Sequence, residues 1–183
     1  MTGFARPELL ASTEWLSDEL GRPEVRIVDV RWRPDGTGQS VFDAGHLPGS
    51  SYLDWRAELN EPTSDEGGHA LRLASADSVM AFMARAGVGD ADTLVLYDDT
   101  LGLYAARAWW SLRVYGFESA RILDGGFPAW IAESRPLSTG LLPPPQGSFT
   151  PRLNPRLRLT KWSRSPDGRW IRFPSRSRRG SAT

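Results

Sequence analysis

Thr93-Leu94-Val95-Leu96-Tyr97-Asp98-Asp99-Thr100-Leu101-Gly102-Leu103-Tyr104-Ala105-Ala106-Arg107-Ala108-Trp109-Trp110 joins two kinds of structure through one short loop. Thr93 to Tyr97 is apolar and rich in strand formers, so it reads as a buried strand. Asp98 to Gly102 is polar and ends on glycine, a turn. From about Leu103 to Tyr115 the pattern is helical, with Gly116 at its end. The same alternation extends outward. Upstream, Val79, Phe82, Met83 and Ala86 form one apolar helix face that starts at Ser75 and closes at Gly87. Val25 to Val30 and Ser51 to Leu53 read as further strands, and a helix capped by Ser12 or Thr13 runs to Leu20. Downstream, Ala120 to Leu123 is a strand, and Asp124-Gly125-Gly126 turns into a short helix around Pro128 to Trp130. Strands alternating with helices predict an α/β fold, a mainly parallel sheet with helices on both faces.

Composition narrows the function classes. The 183 residues suffice for one domain, no apolar run approaches the ~20 residues of a membrane helix, and Met1 to Glu8 lacks a secretion-signal core. Cytoplasmic residence without membrane contact is the expectation. The sequence has no cysteine, which rules out disulfides, thiolate metal sites and thiol nucleophiles together. His46 and His69 are too far apart for metal-ligand spacing, so no metal or other cofactor is expected. The zero net charge conceals an asymmetry: residues 1–150 carry 12 basic and 21 acidic side chains, residues 151–183 carry 10 and 1. We place a domain at 1–142 and a Pro-rich linker with a basic, irregular tail at 143–183. Residues 60–72 read as a surface excursion.

Four motifs occur in order: Ile27-Val28-Asp29-Val30-Arg31, then Gly45-His46-Leu47-Pro48-Gly49-Ser50, then the strand and loop quoted above, then Leu123-Asp124-Gly125-Gly126-Phe127-Pro128-Ala129-Trp130. Together they resemble the N-terminal domain of the tandem thiosulfate and 3-mercaptopyruvate sulfurtransferases of the rhodanese family, over roughly residues 8–140. That resemblance implies a three-layer rhodanese-like fold with a five-stranded central sheet. It also implies an active-site loop spanning Asp99, Thr100, Leu101, Gly102, Leu103 and Tyr104. Matching the loop glycine to Gly102 places Asp99 where the family's persulfide-forming cysteine would stand. Asp99 is then expected to accept hydrogen bonds from the loop N–H groups, leaving the domain catalytically inactive and structural or regulatory.

Asp29, Arg31, His46, Arg107, Gly125 and Gly126 complete the motif as structural residues: Asp29 and Arg31 as an ion pair, His46 as a hydrogen-bonded turn residue, Arg107 as a bridge to Asp98 or Asp99. The implied partner is a second, cysteine-containing rhodanese domain, of which the tail is a remnant left by truncation or frameshift near residues 155–162. Self-association through the face that such a domain would cover is a further expectation. Two other functions are weighed. Adjacent aspartates after a strand suggest an Asp-nucleophile phosphatase, but the Asp-x-Asp-x-Thr spacing and a nearby lysine are missing. The basic tail suggests nucleic-acid binding, which the acidic domain opposes.

Overall fold

The computed structural model describes residues 6–61, 72–140, 147–157, 162–164 and 170–172. Its strands are β1 (Leu10–Ala11), β2 (Val25–Asp29), β3 (Ser50–Tyr52), β4 (Asn60–Glu61), β5 (Arg72–Leu73), β6 (Thr93–Tyr97), β7 (Ala120–Leu123), β8 (Trp162–Arg164) and β9 (Trp170–Arg172). Its helices are α1 (Thr13–Asp18), α2 (Gly38–Ala44), α3 (Trp55–Glu58), α4 (Ala76–Arg85), α5 (Leu103–Val114) and α6 (Gly126–Ala132). Five strands form a fully parallel sheet in the order β1-β7-β6-β2-β3, as the resemblance implied. Among the described residues no helix is long and apolar enough to cross a membrane.

Alternation along the central strands assigns side chains to opposite faces. Leu94 and Leu96 of β6 join Val28 of β2 in a core with Val79, Phe82, Ala105, Ala108 and Leu112, so α4 and α5 cover that face. Val95 and Tyr97 point the other way, into a cluster with Ile27, Leu16 of α1 and Trp130 of α6. The result is three layers around a sheet buried on both sides, which explains why β6 reads as a continuous apolar run rather than an alternating one. The carboxyl ends of β2 and β6 emerge side by side, with Asp29 in register with Tyr97.

Several stretches depart from the sequence reading, among them the short paired strands β4 and β5 at the ends of the 60–72 excursion and the segments beyond residue 146. The tail, read as irregular, contains a short antiparallel pair, β8 with β9, centred on Ser163 opposite Ile171. Three-residue strands are shorter than any window in which a period of two can be recognised. Residues 143–146 lie outside the described residues, as does His69, but 147–157 lie on the domain rather than standing off from it. The N–H of Gly147 donates to Ala84, that of Arg152 to Tyr115 at 2.7 Å, and that of Asn154 to Val114 at 2.6 Å. The last two satisfy carbonyls at the end of α5 that have no partner within the helix. Phe149 is buried edge-on against Phe117, with centroids 5.6 Å apart. A Cβ on Gly147 would meet the Val88 nitrogen at 2.3 Å, so only glycine fits there. Phe149→Ala is therefore expected to cost about 3 kcal/mol, the lower end for a buried phenylalanine, measured as a lower denaturant midpoint. An unchanged midpoint would mean that this strap does not belong to the folded unit.

Candidate functional site

The loop after β6 begins on the α4/α5 side of the sheet. Asp98 continues the Leu94, Leu96 parity and therefore points beneath the start of α5. It is 1% exposed. Its Oδ1 accepts from the N–H of Thr100 at 2.8 Å and Gly102 at 2.9 Å; its Oδ2 accepts from Tyr104 at 2.8 Å and Ala105 at 2.9 Å. Leu101 and Gly102 both take positive φ, 57° and 82°, which curls the chain so that these donors converge. This is an anion cradle at a helix N-terminus, filled by the protein's own carboxylate.

The expectation that Asp99 fills the cradle is thus corrected: Asp98 does. Opposite parity turns Asp99 away from α5 to Arg33, whose guanidinium forms a two-pronged pair at 3.2 and 2.5 Å. The hydrogen bond to Asp99 holds the Arg33 guanidinium above its ordinary pKa. Arg107 does not bridge to either aspartate. It donates to Asn60 Oδ1 at 2.8 Å and lies over Trp110, while both loop carboxylates are engaged elsewhere. Arg33 and Asn60 were missed in the sequence, since neither belongs to a motif or a period.

Below the loop, Asp29 and Arg31 form a buried pair. Arg31 Nε donates to Asp29 Oδ2 at 2.8 Å and its backbone N–H to Oδ1 at 2.8 Å, and a terminal nitrogen donates to the Gly45 carbonyl at 2.7 Å. The guanidinium covers the Phe127 ring at 3.8 Å. Tyr97 donates its hydroxyl to Asp29 at 2.7 Å and accepts from the Leu47 N–H. Burial, reinforced by the Asp29 charge, pushes the Tyr97 hydroxyl well above the usual phenol range, so it stays a donor. Burial also raises the Asp29 carboxyl, against the pull of Arg31. His46 Nδ1–H donates to the Phe42 carbonyl at 2.9 Å, and its ring stacks on Phe42 at 3.9 Å. Its backbone pairs with Ser138. Gly125 and Gly126 adopt φ of 73° and 57°. A Cβ on Gly126 would lie 2.4 Å from the Asp98 carbonyl, the same carbonyl that accepts from the Phe127 N–H. The Gly-Gly turn is therefore shaped to support the cradle from behind.

The arrangement holds an anion. Asp98 is buried and accepts four N–H donors, and Asp99 is ion-paired with Arg33.

A model of the rhodanese-like domain matches residues 12–133. The chain is 31% identical over 147 residues to the sulfur carrier protein TtuD of Thermus thermophilus, covering 80% of this chain and 48% of that protein. It is 33% identical over 135 residues to the thiosulfate sulfurtransferase of Corynebacterium glutamicum, covering 74% and 41%. SseA of Escherichia coli, whose structure is described under 3-mercaptopyruvate sulfotransferases, superposes with a TM-score of 0.70 at 30% identity, over 80% of this chain and 56% of that one. The chain spans about half the length of these curated relatives.

Proposed function

This chain belongs to the rhodanese-like sulfurtransferase family, and from that premise we propose that it is a supporting domain which transfers no sulfur by itself. Asp98, rather than Asp99, takes the place of the sulfur nucleophile. The observation that carries this reading is the Asp98 carboxylate inside four converging N–H groups. In the family's chemistry a thiolate attacks a sulfane sulfur and becomes a persulfide, whose negative charge such donors stabilise. A carboxylate cannot carry a sulfane sulfur, and no cysteine exists elsewhere in the sequence to replace it. Its charge also fills the cradle before an anionic donor such as thiosulfate arrives. At ~5 Å and an effective dielectric near 20, like charges repel by about 3 kcal/mol.

The partner chemistry is a second rhodanese-like domain that supplies the thiol. Leu101 and Leu103, both exposed beside the cradle, give it an apolar contact. In this role the domain supplies a rigid wall rather than a reacting group.

The test is sulfur transfer from thiosulfate or 3-mercaptopyruvate to cyanide by the purified chain. The expected result is a rate equal to the buffer blank. Turnover that follows the chain through successive purification steps contradicts the proposal.

A further inference from the structure

A second depression lies away from the loop, at the outer edge of the sheet where β1 pairs with β7. It is a crevice of about 310 Å³ lined by Pro7, Leu10, Trp15, Arg121 and Asp124, with Ala11 and Ser12 beneath them. That volume is at the lower end for small-molecule sites, ~300–1,000 Å³. Three elements build it. The turn before β1 brings Pro7, α1 brings Trp15, and β7 with the residue after it brings Arg121 and Asp124. The Asp124 N–H donates to the Ala11 carbonyl at 2.8 Å, which ties the two strands together at the crevice floor.

Two opposite charges line it. Arg121 lies over the Trp15 indole, its guanidinium carbon 4.7 Å from the ring centroid. Stacking uses the face of the guanidinium and leaves its in-plane N–H donors available. Among the described residues no acceptor takes a hydrogen bond from them, and none donates to the Asp124 carboxylate. Arg121 and Asp124 thus both line one crevice, and among the described residues they bridge neither to each other nor to a third group.

We propose that this crevice binds a small zwitterion with an apolar body, an α-amino acid with an aliphatic side chain. Arg121 takes the carboxylate through two parallel N–H bonds, Asp124 takes the ammonium, and Leu10, Pro7 and Trp15 receive the side chain. A ligand carrying only one charge would satisfy one partner and leave the other facing like charge or an apolar group. The preference for both charges together is the signature of the site. It is independent of the cradle at Asp98 and of whether the chain transfers sulfur.

The test is titration with L-leucine followed by NMR, reading the Trp15 indole and the Arg121 side-chain resonances. Two analogues accompany it: 4-methylpentanoate, which lacks the ammonium, and 3-methylbutylamine, which lacks the carboxylate. The expected result is saturable millimolar binding of leucine, with each analogue weaker by about tenfold, equivalent to ~1.4 kcal/mol. Arg121→Gln, which also gives up the stacking on Trp15, and Asp124→Asn should each cause a similar loss in variants that still unfold cooperatively. Equal binding of leucine and both analogues would reduce the crevice to a bare apolar depression. The absence of any saturable shift would overturn the proposal outright.

Discussion

Arg31→Met is expected to destabilise the fold by about 3–5 kcal/mol, the range for removing one partner of a buried ion pair. The replacement matches the stem but leaves the Asp29 carboxylate, fully buried, with only the Tyr97 hydroxyl and the Arg31 backbone N–H as donors. The Gly45 carbonyl loses its partner as well. Against a typical domain stability of ~5–15 kcal/mol this is a large fraction. The loss should depend on pH with a definite sign. Burial already raises the Asp29 carboxyl, and without Arg31 it rises further. A native carboxyl above its unfolded value loses stability as the pH climbs through the window from ~4 upward, where the unfolded chain ionises and the folded one resists. The deficit of the variant is therefore smallest near pH ~4 and grows toward neutrality. A second replacement separates charge from packing. Asp29→Leu combined with Arg31→Met should lose less than Arg31→Met alone, because no unpaired charge remains. A double variant as unstable as the sum of its singles would assign the effect to packing instead.

The pattern of what could be read in the sequence follows from where each element draws its stability. β6 is buried from Leu94 to Tyr97 and reads as a continuous apolar run, while β2 and β7 keep enough buried aliphatic residues to be recognised despite Arg26 and Arg121. α4 has one apolar stripe facing the sheet and polar residues outside. β1 was missed because two residues, Leu10 and Ala11, form it only by docking on Ile122 and Leu123. α2 lies in a stretch that reads as turns and has no side-chain cap, and the four-residue α3 is held by the Asp54 cap rather than marked by periodicity. The strap at 147–154 holds through backbone hydrogen bonds and one phenylalanine, which leave no repeating signal among the prolines.

At the loop, chemistry was legible and register was not. Counting back from Gly102 places the anion-site residue at Asp99, whereas the alternation of β6 carried forward from Leu94 and Leu96 points to Asp98. The second argument is geometric, since α5 packs on the Leu94 and Leu96 face, and it was available in the sequence once that face was assigned. Arg33 had no such signal. It reaches Asp99 only because β2 and β6 are neighbours.

The central claim is that the cradle belongs to position 98, and the thiolate titration of two single-cysteine variants tests it directly. Asp98→Cys puts a sulfur among four N–H donors at the positive end of a helix of 12 residues. Its thiol should titrate well below the unperturbed ~8.5. Asp99→Cys would gain from Arg33 alone, so both variants are made with Arg33→Gln to remove that cation. Ultraviolet thiolate absorbance against pH reads each value without requiring a reagent to reach the buried position. The account predicts a low thiol pKa for Asp98→Cys that persists without Arg33, and a value near ~8.5 for Asp99→Cys in the same background. An Asp98→Cys thiol at or above that value, or an Asp99→Cys thiol lower than it, would contradict the account.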